Sequence, residues 1–254
     1  MLRQRVAKGL ASVGAALVLA LPIAVAAVAS APSTQLAVAA QDATTGELQF
    51  TTYVVGTAVE LGTGQFLYTE AHACTEDESG CVVEYHDPES QLIARKTIDF
   101  STSLNAPNVV MNDLRLDTQL TATPQPQEDL VVDAGFDHYV RSQWDALAAG
   151  KRVKFSFQVL GVDTVLTMRA SQLSAASCAP SQLCLLVEVN SWLLGLLADP
   201  IELTYDRQTR RLLEFRGLSN IKSARGESQQ VVISYQYTQD VQNAQETQAV
   251  PTVP

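Results

Sequence analysis

The side chains best suited to chemistry lie between residues 68 and 86. Tyr68, Glu70 and His72 alternate along one stretch, and Glu84 and His86 lie on a stretch that reads as its hairpin partner. A period of two sets Tyr68, Glu70 and His72 on one face of a strand. Two imidazoles and two carboxylates within reach of one another, Glu70, His72, Glu84 and His86, would suit zinc or an acid–base pair near neutral pH. The plainer reading is the solvent face of a hairpin, with Arg95 and Lys96 pairing with the glutamates. That plainer reading is the one expected.

A second group gathers on residues 133–150. Phe136, Tyr139, Val140, Trp144 and Leu147 recur at the spacing of one helix face, which predicts an amphipathic helix over 134–149. Asp133 suits its N-cap, and Gly150 supplies the left-handed residue that commonly ends a helix. Three aromatics in the stripe must lie against something large, and the rest of the chain offers only sheet. Phe136, Tyr139, Trp144, Phe155, Phe157 and Trp192 could therefore line an apolar cavity, with Arg141 and Arg169 as polar contacts at its rim. The same aromatics could instead fill a core, and Asp133, Asp137, Arg141 and Arg169 could be architectural ion pairs.

Several chemistries are disfavoured. The chain contains no G-x-S-x-G, and Gly62-Thr63-Gly64 reads as a turn rather than a phosphate loop. The four cysteines fall in two local pairs, Cys74 with Cys81 and Cys178 with Cys184. Neither pair has close metal-ligand spacing, so disulfides stapling two hairpin loops are expected. No catalytic residue and no cofactor is assigned, and a non-enzymatic role is favoured.

Residues 1–30 read as a signal peptide: Arg3, Arg5 and Lys8, an uncharged run from Leu10 to Ala29, then small-residue motifs that place cleavage between 29 and 40. No cysteine precedes Cys74, which argues against a lipid anchor. A periplasmic or secreted protein without stable membrane insertion after cleavage is expected. The formal net charge is −10, and the leader contributes only bases, so the mature chain is more acidic still. Such a surface repels phosphate backbones, which disfavours nucleic acid.

Residues 31–45 read as a flexible arm, 46–238 as one β-rich domain, and 239–254 as a disordered Gln- and Pro-rich tail. Within the domain, alternating runs such as Leu92, Ala94, Lys96, Ile98 and Phe100 are separated by turns such as Asp87-Pro88-Glu89-Ser90. The fold class is mainly β: a long curved antiparallel sheet, or half-barrel, of about ten or eleven strands wrapping one helix. With the segments Asp87–Lys96 and Asp133–Asp137, this layout resembles the periplasmic lipoprotein carriers of the LolA/LolB type and related exported bacterial families. The resemblance implies a carrier of lipid or another apolar ligand held between sheet and helix. Those carriers generally lack two stapled hairpins, so no functional residue is carried over. An envelope protein–protein interaction module is the second reading, and a metal-dependent enzyme at His72 and His86 the third.

Overall fold

The computed structural model describes residues 49–124, 127, 129–161, 164–174, 178–190 and 199–238. The expected signal peptide, arm and tail, and Trp192, lie outside them. Strands β1 (Thr51–Glu60), β2 (Phe66–Cys74), β3 (Gly80–His86), β4 (Leu92–Asp99), β5 (Asn108–Asp113), β6 (Thr118–Ala122) and β7 (Leu130–Val132) come first. Helices α1 (Gly135–Ser142) and α2 (Trp144–Ala148) follow. Strands β8 (Val153–Gln158), β9 (Val165–Gln172), β10 (Gln182–Val189), β11 (Ile201–Asp206), β12 (Leu212–Leu218) and β13 (Gln230–Tyr237) complete the order.

These thirteen strands, rather than ten or eleven, form one sheet in the order β6-β5-β4-β3-β2-β1-β13-β12-β11-β10-β9-β8-β7. The mainly β class and the curled sheet around helix stand as expected. The sheet nearly closes on itself. The Gly161 amide, just after β8, donates to the Thr121 carbonyl of edge strand β6 at 3.2 Å. The Val132 amide of β7 donates to Asn105 at 2.9 Å.

One pairing is not antiparallel. β7 runs parallel to β8, and a parallel pair needs a crossover longer than a tight turn. Both helices lie in that crossover, which explains why the helical stretch sits where it does. β7 is only three residues long, too short to leave a periodic signal, yet Leu130, Val131 and Val132 are all buried. Leu130 and Val132 pack into an apolar cluster with Tyr68, Val83, Met111 and Ile233. Val131 faces a second cluster holding Tyr139, Trp144, Phe155 and Leu185. The strand thus divides the apolar interior between its two faces.

The helix differs from expectation in two respects. It is broken at Gln143 into α1 and α2. Asp133 does not cap it: α1 has no side-chain cap, and the Asp133 carboxylate turns elsewhere. The C-terminus ends as a Schellman turn, with Lys151 N–H to Ala146 and Gly150 N–H to Leu147 at 3.0 and 2.9 Å and Gly150 at φ 75°.

Both disulfides are present. Cys74 and Cys81 face each other across β2 and β3, at the mouth of their loop. Cys184 lies inside β10, so Cys178–Cys184 ties a loop back onto its own strand rather than closing a hairpin mouth.

The helix start is held by close backbone approach. A Cβ added to Gly135 would stand 2.1 Å from the Asn105 carbonyl oxygen and 2.8 Å from Pro107. Gly135→Ala must push the helix off the loop between β4 and β5, and we expect a loss of about 1–3 kcal/mol in denaturant unfolding. An unchanged midpoint would show that this contact does not set the helix position.

Candidate functional site

The register of β2 and β3 separates the residues grouped above. Glu70 lies opposite Tyr85 and His72 opposite Val83, whereas Glu84 lies opposite Ala71 and His86 opposite Thr69. Cross-strand partners share a face, so Glu70 and His72 point inward while Glu84 and His86 point outward. The four do not converge, which removes the geometric basis for a shared metal. Glu84 pairs instead with Arg95 on the outer face of β4.

Inside, Glu70 is buried beside Gly56, its neighbour across β1. A Cβ at Gly56 would come within 2.7 Å of Glu70 Cγ and 3.0 Å of the Tyr235 ring, so the missing side chain is what admits both. Glu70 Oε1 lies 3.0 Å from His72 Nε2, and the Glu70 carboxylate also accepts from the Tyr235 hydroxyl. Burial alone would raise the Glu70 carboxyl. The hydrogen bond and charge of His72, the Tyr235 hydroxyl and the field of Lys96 outweigh it and hold the carboxyl below its ordinary value.

Lys96 also points inward. Its ammonium donates to Asp133 Oδ1 at 2.7 Å, with 8% and 4% of the two side chains exposed. Asp133 also accepts from the Ala134 amide at 2.8 Å and from Asn220 Nδ2 at 2.7 Å. Tyr68 and Ser219 share a hydrogen bond of 2.7 Å nearby. A polar layer thus crosses an otherwise apolar interior.

At the α1 side of this layer the rings stand in a recess. A register shift between Thr52 and Val54 leaves Tyr53 as a bulge residue. Its ring meets His72 edge-on at 6.3 Å, and His72 meets Tyr235 at 6.1 Å. Tyr237 lies on the next inward position of β13, with the Arg211 guanidinium over its ring at 4.6 Å. Tyr53 leaves 42% of its surface open, yet burial raises its phenol against the opposing field of Arg141. Tyr237 and Tyr235 likewise reach solvent while burial pushes their phenols up. Rings that meet water while surrounded by protein line a concavity. Arg141, paired with Asp137 one helical turn away, stands near enough for its charge to oppose the rise of the Tyr53 and Tyr237 phenols.

The aromatic stripe lies elsewhere. Tyr139 and Phe136 contact Phe155 at 5.0 and 5.3 Å, and Trp144 contacts Tyr205 at 5.9 Å. Tyr139, Trp144 and Phe155 are buried in the second cluster, whereas Phe136 and Phe157 are half-buried at its border. Burial pushes the Tyr139 phenol up to about 12. Arg169 belongs to neither group: it pairs with Glu188 across β9 and β10, alternating with the inward Met168 and Ala170. Sequence reasoning missed Tyr235 as a partner of Glu70, and it paired Lys96 with the glutamates rather than with Asp133. The available signal was a lysine in the same alternating stripe as Ala94 and Ile98.

No protein-family model matches the chain, and no curated protein matches it. Among solved structures, it is similar to a candidate outer membrane lipoprotein-sorting protein domain from Vibrio parahaemolyticus. Identity is 7%, with 74% of this chain and 84% of that chain covered, at a TM-score of 0.26. A superposition that loose carries no argument about function.

The lowered Glu70 carboxyl has a pH consequence. Its stabilisation is present above the unfolded value of about 4.3 and is lost as pH falls through the lower folded value. Asp77, Asp99 and Asp206, held low by local hydrogen bonds, add to the same limb. Glu70→Gln should therefore show a shallower loss of stability than the parent as pH is lowered from about 5 to 3. Parallel curves for parent and variant would show that Glu70 is not held low.

Proposed function

We propose that the protein is a non-enzymatic carrier outside the cytoplasm, binding a lipid or other apolar ligand beside α1, between helix and sheet. The observation that carries the reading is the recess. Tyr53, 42% exposed, stands with His72, Tyr235 and Tyr237 on the inner side of a nearly closed sheet. Pockets that bind ligands are concave and ring-lined, with few polar groups to fix orientation. Half-buried Phe136 and Phe157 border the second apolar cluster and would give a ligand chain an apolar surface to meet. Two disulfides support a location outside the reducing cytoplasm.

Glu70 with His72 could be taken for an acid–base pair, but both side chains also bond or stack on neighbouring tyrosines, as a supporting layer would. The carrier reading therefore takes precedence over an enzymatic one.

Native mass spectrometry on protein taken from its own cell envelope, with and without organic extraction, tests the reading. We expect a bound mass that extraction removes. A clean unliganded mass in both samples would contradict the carrier reading and turn attention to a protein partner in the envelope.

A further inference from the structure

The turn between β11 and β12 reads Asp206-Arg207-Gln208-Thr209-Arg210-Arg211, three bases together in a chain whose formal net charge is −10. It is held firmly. The Asp206 carboxylate accepts from the Gln208 and Thr209 amides at 3.0 and 2.7 Å, and the Arg210 amide returns to the Asp206 carbonyl at 2.9 Å. Arg207 ties the turn to β10, its amide on the Ser181 carbonyl at 2.9 Å and its Nε on the Gln182 carbonyl at 2.7 Å. Arg210 sits at a φ of 57°, where glycine or asparagine would be less strained.

The turn lays two guanidiniums on rings. Arg210 lies over Trp144 at 5.3 Å and Arg211 over Tyr237 at 4.6 Å, each measured to the ring centroid. Those rings belong to one floor. Trp144 meets Tyr205 edge-on at 5.9 Å, Tyr205 pairs with Leu212, and the Tyr237 hydroxyl donates to the Leu212 carbonyl at 3.1 Å. Arg141 stands one helical turn before Trp144, and its charge reaches the phenols of Tyr205 and Tyr237. Three guanidiniums thus border a ring-floored patch that shares Tyr237 with the recess.

Three acids share this border. Asp206 is engaged within the turn, and Asp137 pairs with Arg141. Asp145 is the acid nearest Arg210, but at 3.8 Å it is beyond hydrogen-bond length, and its side chain is 98% exposed. The Arg210 guanidinium therefore donates no hydrogen bond among the described residues, and its donors face water. Glu70 and Glu78 act on Tyr53 instead. A guanidinium stacked on a ring keeps its donors along its edge in a fixed fork, which matches the oxygens of phosphate.

We propose that this patch binds a phosphate group, presented by an anionic lipid headgroup or by free inorganic phosphate. Arg210 and Arg141 supply the donors, over the floor that runs from Trp144 to Tyr237. The inference deepens the carrier reading: the lipid source rests on that reading, but the phosphate contact does not.

Calorimetric titration of the full chain with three probes tests it: inorganic phosphate, dihexanoyl phosphatidylglycerol and dihexanoyl phosphatidylcholine. Both lipids carry a phosphate, but only the choline lipid carries its own cation beside it. We expect the glycerol lipid to bind about tenfold tighter than the chain-matched choline lipid. That preference should disappear in Arg210→Gly, where glycine suits the backbone and the turn is kept, with folding checked by circular dichroism. Arg141→Gln should weaken the glycerol lipid about fivefold and decides the matter if Arg210→Gly fails to fold. Displacement of the lipid by phosphate assigns the site to any free phosphate, and failure to displace it assigns the site to the headgroup. Equal binding of the two lipids, or a preference that survives in the folded variants, overturns the inference and leaves the carrier reading intact. Binding of phosphate with neither lipid bound keeps the phosphate site and counts against the carrier reading. No binding of any probe overturns the inference.

Discussion

The Lys96–Asp133 ion pair is the contact on which the interior depends. Taking both charges out of water costs several kcal/mol each, and attraction offsets that only when the remaining donors and acceptors are also met. On the carboxylate side they are met: Asp133 accepts from Lys96, Asn220 and the Ala134 amide. Removing one partner would strand the other charge, at about 3–5 kcal/mol. The three donors come from β4, from the segment between β12 and β13, and from the start of the crossover. One carboxylate therefore fixes where the crossover leaves β7 and enters α1. Asp133 holds a φ of 44° to do so, in a region that aspartate tolerates better than most residues.

That fixed point explains the recess. With β7 buried on both faces and α1 beginning directly after Asp133, the helix can cover only part of the inner sheet. Its stripe closes over Phe155, Leu183 and Tyr205, and the strands around Glu70 are left to tyrosines and His72. Tyrosine suits such a border, since the ring buries while the hydroxyl finds a partner, as Tyr237 does on Leu212. The acidic carboxylate beneath those rings distinguishes this interior from a plain greasy sleeve.

Much of the fold was legible from alternation and turn residues: the mainly β class, the local cysteine pairing, and a helical segment between two runs of strands. The parallel β7–β8 pair was not, because three residues carry no period. The inner site was half legible. Alternation put Glu70 and His72 on one face, but register alone decides whether Glu84 and His86 join them, and a shift of one residue reverses every side chain. From sequence, Lys96 reads as a partner of the hairpin glutamates, since lysine is rarely buried without a partner. Its partner, Asp133, lies 37 residues away, a distance that no local pattern spans.

The most direct test of the central claim, that the inner surface beside α1 is the ligand-facing part of the barrel, is amide hydrogen exchange on the full chain with and without dihexanoyl phosphatidylglycerol. The account predicts slowed exchange in the first half of β1, the end of β2, the end of β13 and α1, with β5 and β6 unchanged. Protection centred on β5 and β6, or none at the recess with lipid bound, would contradict it.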